Sequence, residues 1–268
     1  MSTPVPGPAG RWAIAHDGTR IGFDVVGDGE PLLLLAGQAN SRSWWGPVRP
    51  DLAGFRTIAV DHAGTGAGDD VVDGEWSTRR FARDAVAVLD ALGVGRAHLY
   101  GTSMGGRVAQ WIAADHPGRV GALVLGCTSA GGAGTVPADR GVLRTLAGPP
   151  GPARCELVRL MVGPGWEGPL PVLGDDTMST RARAGHRRAS ARHDAWDALP
   201  GVTAPVLVLH GDADEYTPVA NGRLLAARIP AAQLVVLPGA RHAYFLEQRE
   251  RASAEVHRFL TEHPLAVC

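Results

Sequence analysis

Six residues, Gly101-Thr102-Ser103-Met104-Gly105-Gly106, leave few folds open to this chain, because they set a serine between small residues where a strand must turn straight into a helix. Ala97-His98-Leu99-Tyr100 before them is a short apolar run suited to a buried strand, and Val108 to Ala114 after them favours a helix. Glycines two before and two after the serine remove the side chains that would collide at so sharp a turn, and they allow the serine a strained, αL-like backbone. The following helix aims its free N–H groups and positive dipole end back toward the serine, where an oxyanion would develop. A serine placed this way can be presented as a nucleophile.

Such a nucleophile needs a histidine to accept its proton and a carboxylate to hold that histidine's tautomer. Downstream, Val206-Leu207-Val208-Leu209 reads as a strand and runs into His210-Gly211-Asp212-Ala213-Asp214, a loop able to hold a carboxylate. Gln233-Leu234-Val235-Val236-Leu237 reads as another strand, and its trailing loop Pro238-Gly239-Ala240-Arg241-His242 delivers a histidine before a C-terminal helix. The chain order is therefore serine, acid, histidine, with Asp212 and Asp214 both standing as candidates for the acid.

At these residues, and over nearly its whole length, the chain resembles the α/β-hydrolase superfamily, whose triad members follow that order on loops at the C-terminal ends of parallel strands. The resemblance implies an α/β fold: a mostly parallel sheet, helices on both faces, and a helical lid inserted late in the chain. It implies Ser103 as nucleophile, Asp214 as orienting acid and His242 as general base and acid, since the family places the acid three residues past the glycine of His-Gly-x-x-Asp. Pro31 to Gln38 reads as a buried strand entering a turn, and the resemblance assigns the oxyanion donors to the backbone N–H groups of Gln38 and Met104. Ala36 stands where the family commonly has histidine, and Ala63 where it usually has arginine. Because the oxyanion donors are main-chain groups, these departures bear on how the loops are braced.

Serine rather than aspartate at position 103 argues against epoxide hydrolase and haloalkane dehalogenase chemistry. Cleavage of a carboxylic ester or lactone through an acyl-enzyme is the first expectation, in the manner of enol-lactone hydrolases and small methylesterases. Two other classes stay open: a triad enzyme that does not hydrolyse, such as a cofactor-free perhydrolase, a haloperoxidase-like protein or a lyase, and a ligand receptor on the same fold.

Elsewhere strands and helices alternate as a doubly covered parallel sheet requires. Strands over 11–15 and 20–26 joined by His16-Asp17-Gly18-Thr19 read as an N-terminal hairpin. The Gly-rich stretch Asp61-His62-Ala63-Gly64-Thr65-Gly66 lacks the Walker lysine and the full dinucleotide-binding frame, which excludes it as a nucleotide cradle. Helices over 79–92 and near the C-terminus carry apolar stripes that mark core contact.

About seventy-five residues between Gly126 and Val206 break the alternation, so the expected division is core over 1–127, helical lid over 128–200 and core over 201–268. Helical pieces are expected near 138–146 and 153–162, and a longer helix-prone run over 178–198. Among the lid's apolar residues, Leu143, Leu146, Leu157, Leu160, Met161 and Trp166 divide between walling a pocket and packing the lid on the sheet. Met161 and Trp166, with Trp44 after the oxyanion loop, are the expected pocket residues, and Trp45 is expected to pack beneath that loop. The arginines at 181, 183, 187, 188 and 192 read as a solvated helix face, with attraction of an acidic substrate as the alternative.

At 268 residues with a formal net charge of −1, one domain with an insertion suffices, and no basic, aromatic-interleaved surface for nucleic acid is present. No apolar stretch approaches the ~20 residues of a membrane span, and Met1 to Pro8 has neither the basic nor the apolar region of a signal peptide. A cytoplasmic enzyme acting on a small molecule is the expectation, with its oligomeric state open. Cys127, Cys155 and Cys268 are odd in number and lack metal-like spacing, with Cys127 read as a core residue. His62, His98, His116 and His257 are read as structural, and the strand-loop setting of His210, Asp212 and Asp214 favours a triad acid over a metal site. No metal and no cofactor are implied.

Overall fold

Long runs of β-branched and aliphatic residues make strands here, and their burial on both faces shows why so few polar residues interrupt them. A computed structural model describes residues 11–71 and 74–265. Met1 to Pro8 and Cys268 lie outside the described residues. Eight strands form one sheet: β1 (Arg11–Ile14), β2 (Arg20–Val26), β3 (Glu30–Leu35), β4 (Phe55–Val60), β5 (Ala97–Thr102), β6 (Val120–Gly126), β7 (Val206–Gly211) and β8 (Gln233–Leu237). Their spatial order is β1-β2-β4-β3-β5-β6-β7-β8. The β1–β2 and β2–β4 pairs are antiparallel and all later pairs parallel. The expected hairpin is present, closed by Ala15 N–H to Thr19 O at 2.9 Å.

Successive side chains on a strand point to opposite faces, so each central strand feeds two cores. Leu33, Leu35, Leu99 and Leu125 enter one, beneath α1 (Thr78–Ala91) and α2 (Met104–Asp115). Leu32, Leu34, Val124, Leu207 and Leu209 enter the other, with Phe259 and Leu260 of α8 (Arg249–Glu262). α1 starts where Ser77 Oγ accepts from Arg80 N–H at 3.1 Å, and its stripe Phe81, Ala85, Val88 and Leu89 is buried as the spacing predicts.

The segment between β6 and β7 departs from strand-helix alternation and carries α3 (Arg140–Leu146), α4 (Pro150–Met161) and α5 (Thr180–Ala191). The expected long helix over 178–198 stops at Ala191. Beyond it a single β-bridge, Gly131 to Asp194, and the hydrogen bond Ala195 N–H to Ala130 O at 2.8 Å return the segment to the end of β6. α6 (Ala220–Arg228) and the single turn α7 (Tyr244–Glu247) complete the fold. Among the described residues no helix is long and apolar enough to cross a membrane.

Candidate active site

Ser103 sits at the join of β5 and α2 with φ 53° and ψ −122°. The positive φ matches the strain expected of the sequence, but ψ places the residue outside the αL region that was anticipated. The turn is fixed from both sides: Ser103 N–H donates to Gly126 O at 2.8 Å, and Thr128 Oγ1 donates to Ser103 O at 2.7 Å. The glycines are steric requirements. A Cβ on Gly105 would lie 2.0 Å from Leu35 O, and one on Gly101 would lie 2.3 Å from Gly105 O.

The acid and the histidine meet as the chain order requires. Asp214 Oδ2 accepts from His242 Nδ1–H at 2.8 Å, and Asp214 Oδ1 accepts from the backbone N–H groups of Tyr216 (2.9 Å) and Thr217 (2.8 Å). Asp212 is turned elsewhere, with its Oδ1 taking Gly239 N–H at 2.6 Å. Burial works to raise the pKa of Asp214, but the charge of His242 and hydrogen bonds from His210 and His242 outweigh it and bring it down to about 2. The carboxylate therefore stays ionised through the neutral range. With Nδ1–H bound to Asp214, His242 turns Nε2 the other way. That atom is buried and has no hydrogen-bond partner among the described residues.

His210, two strands away from the serine, is buried beside the acid. Its Nε2–H donates to Thr217 O at 2.7 Å and lies 3.5 Å from Asp214 Oδ2, which ties the acid loop to β7. No group of three or more histidine, cysteine, aspartate or glutamate side chains among the described residues is arranged to hold a metal ion.

The loop after β3 brings Gln38 to the same rim. Neither Gln38 N–H nor Met104 N–H is spent on a hydrogen bond among the described residues, and Gln38 and Ser103 line a common cavity. The bracing left open by Ala36 and Ala63 comes from two other histidines. His62 Nε2–H donates to Ala36 O at 3.1 Å. His186, on α5, accepts from Ala39 N–H at Nδ1 (3.1 Å) and donates from Nε2–H to Ala63 O (2.8 Å). Burial depresses the pKa of His62 to about 3 and of His186 to about 4, so both rings are neutral and each tautomer is fixed by its carbonyl. Asp175 N–H to Ala39 O (2.7 Å) and Gly174 N–H to Asn40 Oδ1 (2.9 Å) add further links from the inserted segment. Ala39 itself has φ 58°, the strained partner of a tight turn. The histidine loop is held in the same manner from α4: His242 N–H donates to Leu160 O (3.2 Å) and Ala243 N–H to Met161 O (2.8 Å).

Two cavities open beside Ser103. The smaller, about 140 Å³, is lined by Trp44, Leu157, Met161, Val172, Leu173 and His242 among others. Trp44 is fixed by its Nε1–H to Thr102 Oγ1 at 2.9 Å, and Trp45 packs away from the cavity against Tyr100 at 4.7 Å between ring centroids. Trp166 does not belong to the pocket: it lines neither cavity and lies against Gly168 and the second core instead. Leu146 and Leu160 likewise pack, whereas Leu143 lines the larger cavity of about 630 Å³ with Ser103, Arg107 and Tyr216. Of the five arginines on or after α5, Arg183 lines the smaller cavity and Arg187 the larger, so the solvated-face reading holds for only part of that set.

Sequence reading missed Arg107, Tyr216 and His186. Arg107 follows the serine by four positions, one helical turn, which puts a charge near Ser103. Tyr216 lies in the acid loop, and its ring meets His242 edge-on at 4.9 Å. His186 carries no local signal, being 147 residues from the loop it holds.

An alpha/beta hydrolase fold model matches residues 30–151, and a serine aminopeptidase model matches residues 176–249. A 2-hydroxymuconate semialdehyde hydrolase of Pseudomonas putida is 31% identical over 286 residues, covering 98% of each chain. This chain belongs to the α/β-hydrolase family. A second relative of this α/β-hydrolase, a 2-hydroxy-6-oxononadienedioate/2-hydroxy-6-oxononatrienedioate hydrolase of Burkholderia vietnamiensis, is 30% identical, with 92% of this chain and 93% of that one covered. The crystal structure of the esterase RhEst1 from Rhodococcus sp. ECU1013 superposes with a TM-score of 0.83 at 33% identity, covering 95% of this chain and 99% of the esterase. As an α/β-hydrolase with hydrolases as its relatives, the protein is a hydrolase.

Proposed function

We propose that the protein cleaves a carboxylic ester or lactone of a small molecule through an acyl-enzyme on Ser103. The observation that carries this reading is His242, whose Nδ1 is held by Asp214 at 2.8 Å, whose buried Nε2 has no partner among the described residues, and which lines the same 140 Å³ cavity as Ser103. His242 Nε2 takes the proton of Ser103 Oγ as that oxygen attacks the carbonyl carbon. Charge on the carbonyl oxygen falls to the N–H groups of Gln38 and Met104. When the tetrahedral centre collapses, the alcohol leaves with the proton from His242, and Ser103 carries the acyl group. Water then gives a proton to His242 as it attacks the acyl carbon, and that proton returns to Ser103 Oγ as the acid departs. Asp214 stays ionised throughout and holds the imidazolium. In this reading the inserted segment acts as the lid.

A fluorophosphonate probe with peptide mass spectrometry tests the assignment. Label is expected on Ser103 and is expected to vanish in His242→Ala; label on another residue refutes it. The names of two relatives support a second reading. An oxodienedioate contains no ester, so a hydrolase acting on one must break a carbon–carbon bond beside a ketone. The same nucleophile and oxyanion donors serve that cleavage, and product analysis on matched ester and diketone substrates separates the two.

A further inference from the structure

The larger cavity beside Ser103 contains an unneutralised cation. Arg107 projects from the first turns of α2, and its Nη1–H donates to Ser190 O at 2.8 Å and its Nη2–H to Ser129 Oγ at 3.1 Å. Both acceptors are uncharged. A guanidinium has five N–H donors, so the rest are unspent among the described residues, including Nε–H, which is buried without a partner. Among the described residues no carboxylate forms an ion pair with it, and no aspartate or glutamate lines the cavity. Asp214, the buried carboxylate of the site, is committed to His242, Tyr216 and Thr217. Arg187 lines the same cavity from α5 and has no ion pair among the described residues. His193, also in the lining, adds no negative charge.

Arg107 is partly buried, and a charge withdrawn from water without a counter-charge is costly, so proteins tend to pair such groups. The more enclosed arginines Arg80, Arg49 and Arg42 follow that tendency: Arg80 meets Asp17 and Asp84, and Arg42 and Arg49 meet Asp24. Arg107 is therefore built for an anion that arrives from outside. We propose that this cavity binds a carboxylate carried by the substrate, with Arg107 as its partly buried donor and the exposed Arg187 at the entrance. The reactive carbonyl then lies at Ser103 while the smaller cavity takes the remainder of the molecule. Tyr216 lines both spaces. This inference rests on the hydrolase reading for its catalytic test but has a binding test that does not.

Two matched ester pairs place the anion on either side of the bond: mono-p-nitrophenyl glutarate against p-nitrophenyl valerate, and 4-carboxyphenyl acetate against phenyl acetate. In the wild-type protein at least one anionic member is expected to exceed its neutral partner in kcat/KM. Arg107→Gln is expected to lower that anionic-to-neutral ratio about 10- to 100-fold, as for loss of hydrogen bonds to a charged group, and Arg107→Lys to fall between. Equal treatment of both pairs by the wild type, or an unchanged ratio in Arg107→Gln, overturns the proposal. In parallel, Ser103→Ala protein titrated calorimetrically with the same esters is expected to bind the anionic member more tightly, and Ser103→Ala/Arg107→Gln to lose that preference. Absence of turnover with intact anion preference sinks the hydrolase reading alone, and turnover without anion preference sinks this one alone. Should Arg107→Gln fail to fold, competitive inhibition of the wild type by benzoate but not benzyl alcohol decides the same question, and equal inhibition by both overturns it.

Discussion

His186 offers a way to ask whether the inserted segment sets the oxyanion site or merely covers it. Its ring is fully buried, accepts from Ala39 N–H and donates to Ala63 O, and Ala39 is the neighbour of Gln38. His186→Ala strands one donor and one acceptor, each worth about 1–3 kcal/mol, and leaves a cavity, so the protein is expected to lose several kcal/mol of stability. Complete loss of an oxyanion donor costs about 10²–10³ in kcat. Asp175 and Gly174 still hold the loop in the variant, so a partial shift of Gln38 and about a 10-fold loss are expected. Two amide substitutions split the ring's functions. Asparagine places an oxygen near the Nδ1 position and restores the bond to Ala39, whereas glutamine places a nitrogen near Nε2 and restores only the bond to Ala63. On p-nitrophenyl acetate, His186→Asn should stay within about threefold of wild-type kcat and His186→Gln should match His186→Ala, with KM little moved, on the reasoning that one donor is at stake. Chemical denaturation measures the stability of each variant alongside. Equal kcat in the asparagine and glutamine variants, or a stability loss with no change in kcat in all three, refutes the idea that Ala39 is the link that matters.

Acid should weaken the fold through buried histidines. Burial brings His62 and His193 to about 3 and His186 to about 4, so the folded chain stays unprotonated while the unfolded chain takes up protons below about pH 6.5. The unfolded state then binds more protons, and the unfolding free energy should fall by roughly 1.4 kcal/mol per histidine for each pH unit between about 6.5 and 4; urea titrations showing equal stability at pH 7 and 5 would contradict this. Asp214→Asn is expected to lower kcat about 10³- to 10⁴-fold by misorienting His242, whereas Asp212→Asn should leave kcat within about threefold on the same substrate. Gly105→Ala, whose Cβ would lie 2.0 Å from Leu35 O, is expected to abolish soluble expression or lower Tm by more than about 10 °C.

What the sequence made legible was local or periodic. β2 and β8 fall on the residues that the sequence indicated, and the strand-to-helix turn at Ser103 announces itself because glycines at fixed offsets answer a steric demand within six residues. The acid and histidine loops were readable for the same reason, since each follows a recognisable strand. The pocket was legible in part: Trp44 and Met161 line the smaller cavity as expected, but Trp166 does not, because packing that no local pattern announces sends it to Gly168. Helix α6 escaped notice because Ala220 to Arg228 presents no strong apolar stripe, its buried face being Asn221, Gly222 and Leu225. The partners of Ala36 and Ala63 come from His62 and His186, and the second of these contacts spans a distance in sequence over which no pattern operates.

Helix α4 ends in carbonyls that hold the backbone of His242 and Ala243, and the 174–186 stretch holds the backbone of Ala39 and Asn40. Exchange of the whole insertion for that of another hydrolase would thus remove fasteners of both the His242 loop and the Gln38 loop, the proposed base and oxyanion site, whatever new pocket it brought. Retuning this scaffold toward other molecules belongs to single replacements on the insertion's inner wall, such as Leu157 or Val172, which leave those main-chain stitches intact.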